Sequence, residues 1–411
     1  MKQSSLAMMQ RRSRSSRPRG FTLVELMVAI TIGLVFSLVI TGTVLTMGRQ
    51  FRVVGSNVAA QGSAQIALSL IDSAGRSAGA GLFNNGQLLC PTLNAWKDGT
   101  VKSDNAVFMP VRVADGGSDS ASDSIVFTAA TASGALSAVP LVDTTATNAT
   151  TVVVSNAGGL QNGDLALIGA PGTNQPCLLY QVTAAPTANG IACAGNATFC
   201  TTLARAGGPT GYNPPAAVFT TAPSYGFQTN TGVVPAVYGP AVVNRLGSDF
   251  VQNAFAVQCQ SLIQYNAFSD APACTQSPLG FSGGANALAM DVVLMHAQYG
   301  LSAAANSDVV TSWVNATGAW AAPSAVNVGR IKALRVVIVV RSKESESSNV
   351  TAASCTNANA VVNTGPCSFQ DASAPVIDLS AVAVTAGKTW RNYRYRVHQA
   401  VVPLRNVIWS N

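Results

Sequence analysis

Arg19-Gly20-Phe21-Thr22-Leu23-Val24-Glu25 stands directly before an uncharged run, Leu26 to Met47, that reads LMVAITIGLVFSLVITGTVLTM. A helix crosses a bilayer with about 20 apolar residues, so this run is long enough to span one. Upstream, residues 1–20 hold Lys2, Arg11, Arg12, Arg14, Arg17 and Arg19 and no acid. Basic residues beside a span hold that flank in the cytoplasm, which predicts a single pass with the rest of the chain on the far side. Glu25 is the one acid at the edge of the apolar zone. A carboxylate there costs free energy, so it is read first as functional. A secretory signal peptide does not fit, because its apolar core is about 7–15 residues and its cleavage site follows that core. A plain signal anchor explains the run but not Gly20 and Glu25 together.

Past Met47 the helical pattern continues. Phe51, Val54, Val58, Ile66 and Leu70 recur at helical spacings and predict a stripe packed on a soluble body. No proline interrupts residues 21–81. Gly33, Gly42, Gly48, Gly55 and Gly62 each cost about 1 kcal/mol relative to alanine, which predicts a bent or locally loose helix. The stretch Ala78-Gly79-Ala80-Gly81 is the expected stop. Beyond it, short apolar runs between turn residues predict a β-rich body, α+β overall. Strands are expected at Ser124–Ala129, Thr151–Ser155, Asp164–Ile168, Cys177–Thr183, Val233–Tyr238, Asp291–Tyr299, Ile331–Arg341 and Tyr393–Val402. The β-branched run Val336-Val337-Ile338-Val339-Val340 reads as a strand covered on both faces. In the last strand, Tyr393, Tyr395 and Val397 alternate with Arg394, Arg396 and His398, one apolar face against one basic face. Stretches 114–123, 129–151, 301–307 and 342–364 are rich in small and hydroxyl residues and read as loops. The Cys-, Gly- and Pro-rich segment 184–232 reads as an insertion.

Bulk charge does not point to a nucleic-acid partner. The chain carries a net +7, but six of its 24 bases lie in residues 1–20. The remainder holds 18 bases against 17 acids, so bulk charge gives no argument for nucleic-acid binding. Arg391, Arg394, Arg396 and Arg405 form a basic cluster that is read first as a solvated, edge-protecting face, with a site for phosphate, DNA or an acidic partner subunit as the alternative. Eight cysteines, Cys90, Cys177, Cys193, Cys200, Cys259, Cys274, Cys355 and Cys367, all follow the apolar run, on the oxidising side if the leader is cytoplasmic. Their spacing singles out Cys193/Cys200, Cys259/Cys274 and Cys355/Cys367 as close pairs, expected as disulfides, and leaves Cys90 and Cys177 over as the fourth pair. Eight cysteines allow 105 complete pairings, so the connectivity stays open. No tight C-x2-4-C knuckle for zinc is present. Gly280-Phe281-Ser282-Gly283-Gly284 fits the G-x-S-x-G pattern of serine hydrolases, whose elbow needs a strand before it and a helix after it. His296 and His398 are the only histidines. His296 falls within an expected strand and His398 on the basic face. No catalytic, cofactor or metal residue is assigned.

The Gly20-Phe21-Thr22-Leu23-Val24-Glu25 block resembles the class III leader of type IV pilins and type II secretion pseudopilins. The resemblance implies that a prepilin peptidase cuts after Gly20 and that Phe21 becomes the methylated N-terminus. It also implies that Glu25, fifth in the mature chain, serves assembly. Many major pilins carry a proline near mature position 22, where this chain has Gly42. Near the C-terminus, IKALRVVIVVRS (331–342) and RYRVHQAVVPLRN (394–406) look like the closing strands of PilW-type minor pilins. VLMHAQYGL (293–301) resembles the strand before them. Related proteins often carry an acidic, Gly-rich loop after this YG. Here 302–308 holds one carboxylate, Asp308, too few for calcium, which takes six to eight oxygens.

The resemblance implies a chain divided into a leader (1–20), a transmembrane half-helix (21–47), an amphipathic half-helix (48–81) and a disulfide-stapled head (82–411). It places the helix in the inner membrane and the head in the periplasm, possible incorporation into the pilus included. The implied role is structural and non-enzymatic: priming or capping type IV pilus assembly, in support of motility, attachment or DNA uptake. The implied partners are prepilin peptidase, other minor pilins, the major pilin, the inner-membrane assembly machinery and membrane lipid. A type II secretion pseudopilin of the J type is the alternative with the same leader. A membrane-anchored periplasmic hydrolase using Ser282 is the alternative from another class.

Overall fold

The computed structural model describes residues 20–130, 138–142, 150–192, 199–206, 211–214, 241–268, 272–276 and 278–409. The chain forms two units, Met1–Gly55 and Ser56–Asn411. In the first unit a helix begins at Leu23, and this helix runs as one element to Ser77 in the second. Its glycines do not break it. Leu23–Leu45 is long and apolar enough to cross a membrane, and none of it is buried. The hydroxyls of Thr31, Thr41 and Thr43 donate back to the carbonyls of Val28, Ser37 and Val39. A hydroxyl satisfied by its own helix does not need water, which suits an apolar run.

In the second unit the helix meets the body through a face other than the expected one. Val58 and Ile66 are 63% and 61% exposed, and Leu70 is also exposed. In the first unit Phe51 is exposed too, while the Val54 side chain lies outside the described set. The covered residues are instead Ala64, Ala67, Ile71, Gly75 and Ala78. Close approach explains the difference. A Cβ on Gly75 would stand 2.2 Å from Val402 Cγ1 and 3.4 Å from the Phe127 ring. The body comes so near the helix axis that only small residues and one isoleucine fit beneath it. The helix ends at Ser77, and the N–H of Gly79 (φ +85°) then donates to Thr128 O at 2.8 Å. Asn406 closes that end from far along the chain. Its Nδ2 donates to the carbonyls of Arg76, Ser77 and Ala78, groups that a helix terminus leaves without partners.

The body is strand-rich, and the whole chain is α+β. One six-stranded sheet runs in the order Thr100–Val107, Thr92–Lys97, Cys177–Gln181, Leu165–Gly169, Val242–Gly247, Val139–Pro140. Cys177–Gln181 lies parallel to Thr92–Lys97, and beside this junction Cys90 is bonded to Cys177. A five-stranded antiparallel sheet follows the order Asn286–Met290, Ser261–Asn266, Phe250–Gln258, Ser124–Ala130, Val111–Ala114. The third large sheet is antiparallel: Val310–Val314, Val292–Ser302, Ile331–Arg341, Tyr395–Pro403. Strands also appear where loops were expected, at Val139–Pro140, Cys355–Thr356 and Val362–Asn363. The expected Val233–Tyr238 strand and most of 184–232 lie outside the described residues, as does Cys193. Cys200 is buried and disulfide-bonded. The structure also bonds Cys259 to Cys274 and Cys355 to Cys367.

The main core gathers Ala64, Ala67 and Ile71 of the helix with Phe127, Phe255, Val336, Ile338 and Val402. All eleven residues of Ile331–Arg341 are buried, including three cations. Each cation is held by distant groups. Lys332 Nζ donates to Ala305 O at 2.8 Å and Val407 O at 3.4 Å, tying the 302–308 loop to the last helix, Arg405–Trp409. Burial holds its amine below the ordinary lysine value. Arg335 donates to Gln298, Asp371 and Ser373 and lies 4.8 Å from the rings of both Trp313 and Phe369. Arg341 donates to Ala383 O and Gln260 Oε1.

Candidate processing and assembly site

The segment singled out by sequence begins outside the helix. Gly20, Phe21 and Thr22 are non-helical, Phe21 is 87% exposed, and a Cβ on Gly20 would meet nothing within 4 Å. The Gly20–Phe21 bond therefore lies in exposed, non-helical chain just before a helix. A protease binds such chain without first unwinding it.

Thr22 and Glu25 then start the helix together. Glu25 N donates to Thr22 Oγ1 at 3.2 Å, while Glu25 Oε2 accepts from both Thr22 N and Thr22 Oγ1 at 3.0 Å. This is a reciprocal capping box, the structure that a T-x-x-E sequence favours. The carboxylate also sits where the helix dipole favours negative charge. The sequence reading assigned no role to Thr22, although the T-x-x-E spacing was there to be read. Both bonds from Thr22 fall on Oε2; Oε1 accepts none among the described residues. Leu23, Val24, Leu26 and Met27 around it are apolar and exposed. The site is thus one carboxylate, half engaged by its own helix, on an uncovered apolar rod.

The other candidate chemistry is not assembled. Ser282 follows the short Leu279–Phe281 strand, its Oγ donates to Ala273 O, and the next element is another strand, Asn286–Met290. That is not a nucleophile elbow. His296 is buried: Nε2 lies 3.0 Å from Asp119 O and Nδ1 3.4 Å from Asp123 Oδ2. Burial pushes its imidazole down, but Asp123 and Asp119 outweigh that and hold it above the ordinary value. His398 is not on a solvated face. It is half-buried, its Nε2 has no hydrogen-bond partner among the described residues, and burial, then Arg396, lower its pKa. The reason is register: His398 pairs with Ile338 and shares a sheet face with Val402, which lies under the helix at Gly75.

The basic cluster is partly engaged. Arg394 Nε donates to Glu346 Oε1 at 2.6 Å and Arg391 Nε to Thr351 O at 3.1 Å. Tyr393 is buried, so it offers no ring for base stacking. Among the described residues no group of three or more His, Cys, Asp and Glu side chains could hold a metal ion.

Residues 269–406 match the family described as type IV pilus-assembly protein W. Residues 15–41 match the prokaryotic N-terminal methylation motif. The first match contains the whole four-stranded sheet, and the second contains Gly20, Phe21, Thr22 and Glu25. No curated protein and no solved structure matches the chain. A methylation motif on an exposed apolar helix, followed by strands that match that assembly family, marks the chain as type IV pilin-like, with residues 269–406 similar to the PilW family.

Proposed function

We propose that the protein is a minor pilin that primes or caps type IV pilus assembly. Its leader (1–20) stays in the cytoplasm until prepilin peptidase cuts the Gly20–Phe21 bond. The half-helix 21–47 anchors it in the inner membrane, 48–81 continues that helix, and the head (82–411) lies in the periplasm. Its partners are other minor pilins, the major pilin and the inner-membrane machinery. The role is structural, and nothing in the geometry of Ser282 supports the hydrolase alternative. The family match over 269–406 does not favour a type II secretion pseudopilin.

One observation carries this reading: a carboxylate with one oxygen engaged, at the start of an apolar helix that nothing covers. Cleavage frees an ammonium at Phe21. When helices bundle, Glu25 leaves lipid for a packed interior, where a buried carboxylate needs a cation. The Phe21 amine of a neighbouring subunit supplies it through Oε1, while Thr22 keeps Oε2. That pairing sets the axial register between subunits.

The test uses Glu25→Ala in the full chain, with N-terminal sequencing of the membrane-extracted protein and co-purification with the other minor pilins. The variant is expected to start at Phe21 yet fail to join the complex. A mature chain that still begins at Met1 in the wild type sinks the processing role. A variant that assembles as well as wild type reduces Glu25 to a helix cap.

A further inference from the structure

The two edges of the four-stranded sheet are built differently. The Tyr395–Pro403 edge carries exposed Arg396, follows exposed Arg394 and ends in Pro403. Charge and proline on an edge strand prevent pairing with other chains. The opposite edge, Val310–Val314, reads Val-Thr-Ser-Trp-Val, with neither charge nor proline. Thr311 and Ser312 are exposed, as is Val309 just before them. Among the described residues this strand pairs only with Val292–Ser302: Ser312 with Leu301, Trp313 with Gly300, Val314 with Tyr299. Its outer side therefore presents backbone donors and acceptors to solvent. The strand is also firmly seated. The Trp313 ring lies where a Cβ on Gly300 would be 2.7 Å away, and it stacks on the buried Arg335.

This open edge leads into an acidic cavity. After Val314 the chain leaves the sheet, and the 115–123 loop takes over the neighbouring edge. There Ala297 N donates to Asp123 Oδ2 and Asp123 N to Met295 O, each at 2.8 Å. Between the loop and the end of the strand is a cavity of about 210 Å³. Asp115, Asp119, Asp123, His296, Asn315 and Thr317 line it, and no lysine or arginine does. Asn315 bonds Gln298, so it lies on the sheet face that carries Trp313.

We infer that Val310–Val314 is a docking edge for an extended segment of a partner protein. That segment is uncharged where it pairs and carries one lysine or arginine that enters the acidic cavity. Main-chain hydrogen bonds along an edge give affinity, and side-chain pockets give specificity. The period of two fixes the place of the cation: it sits two positions along from the residue opposite Trp313. The surface belongs to the head alone and does not depend on Glu25 or on helix bundling, so it can be tested with those intact.

The experiment places a photo-crosslinking benzoylphenylalanine at Ser312 and, separately, at Thr317 of the full chain in its native membrane. Both sites are expected to capture the same segment of one partner, rich in β-branched residues and holding a lysine or arginine. The double variant Asp115→Lys, Asp119→Lys, shown by its melting curve to be folded, is expected to cut both yields about tenfold, as like charges meet. A synthetic peptide of the captured segment should bind purified protein, and its form with glutamate in place of the cation about tenfold less. Four results overturn the proposal: no protein captured, capture of a second copy of this chain, capture of a segment without a basic residue, or yields unmoved by charge reversal. If the double variant does not fold, Ser312→Lys replaces it, with the same loss expected and the same unchanged yield refuting.

Discussion

Leu23–Leu45 and residues 56–77 belong to one helix but follow opposite rules. In the first stretch large apolar side chains point in every direction and none is buried. In the second the covered face is Ala64, Ala67, Ile71 and Gly75, while Ile66 and Leu70 are left outside. Size therefore does not mark the side turned to the protein's own body. Where two elements must come very close, the buried face is the one with the least side chain. The larger residues remain for something other than the chain's own fold.

The buried face should show the largest effect. Ile71 is fully covered, and its replacement by alanine is expected to cost about 2–5 kcal/mol in denaturant unfolding of the full chain in detergent. Gly75→Val fails in the other direction. Its added Cβ meets Val402 at 2.2 Å, and overpacking of this kind costs about 1–3 kcal/mol. If Gly75→Val melts with the wild type, the helix does not sit as close as described and the contrast between the two stretches falls. Next comes Gly62, where an added Cβ meets nothing within 4 Å. Gly62→Ala should gain up to about 1 kcal/mol, since alanine is the better helix former. The smallest change in stability is expected for Ile66→Ala, within about 0.5 kcal/mol of wild type, as for most exposed sites. Recovery of the other minor pilins with this variant sharpens the comparison: lowered recovery at unchanged stability makes the outer face an assembly face. Full recovery makes it plain surface.

Much of the fold was legible where one local pattern decides it. The uncharged run and the stop at Ala78-Gly79 mark the helix because length and glycine act locally. The β-branched run at 336–340 marks a covered strand for the same reason. What was not legible depends on distant partners. The stripe Phe51, Val58, Ile66, Leu70 has good helical spacing, but spacing cannot tell how near the body comes, and Val402 sets that. Lys332 and Arg335 look like solvent-facing cations in the sequence. Their acceptors at Ala305, Gln298 and Asp371 are visible only once the sheet is formed. The Cys90–Cys177 bond follows from the sequence only by elimination, as the pair left over; the parallel strand pairing that brings these residues together across 87 positions is not visible there. At the candidate site, Gly20, Phe21 and Glu25 stood out by type and place. Thr22 was equally readable, since T-x-x-E needs only four consecutive residues.

Asn406 gives the molecule an order of events. It caps a helix end about 330 residues earlier in the chain, and Val402 fills the space beneath the same helix. A contact across a loop that long costs closure entropy and is available only after the intervening chain has been synthesised. Until residues 402–406 have been made, the helix end lacks both the cap from Asn406 and the cover from Val402. A chain cut short before Val402 would lose both and is expected to leave this end of the helix unlatched and more readily cut by proteases. The clasp therefore makes the fastening of the helix end depend on residues 402–406, the last stretch of the body to be synthesised among those that touch it.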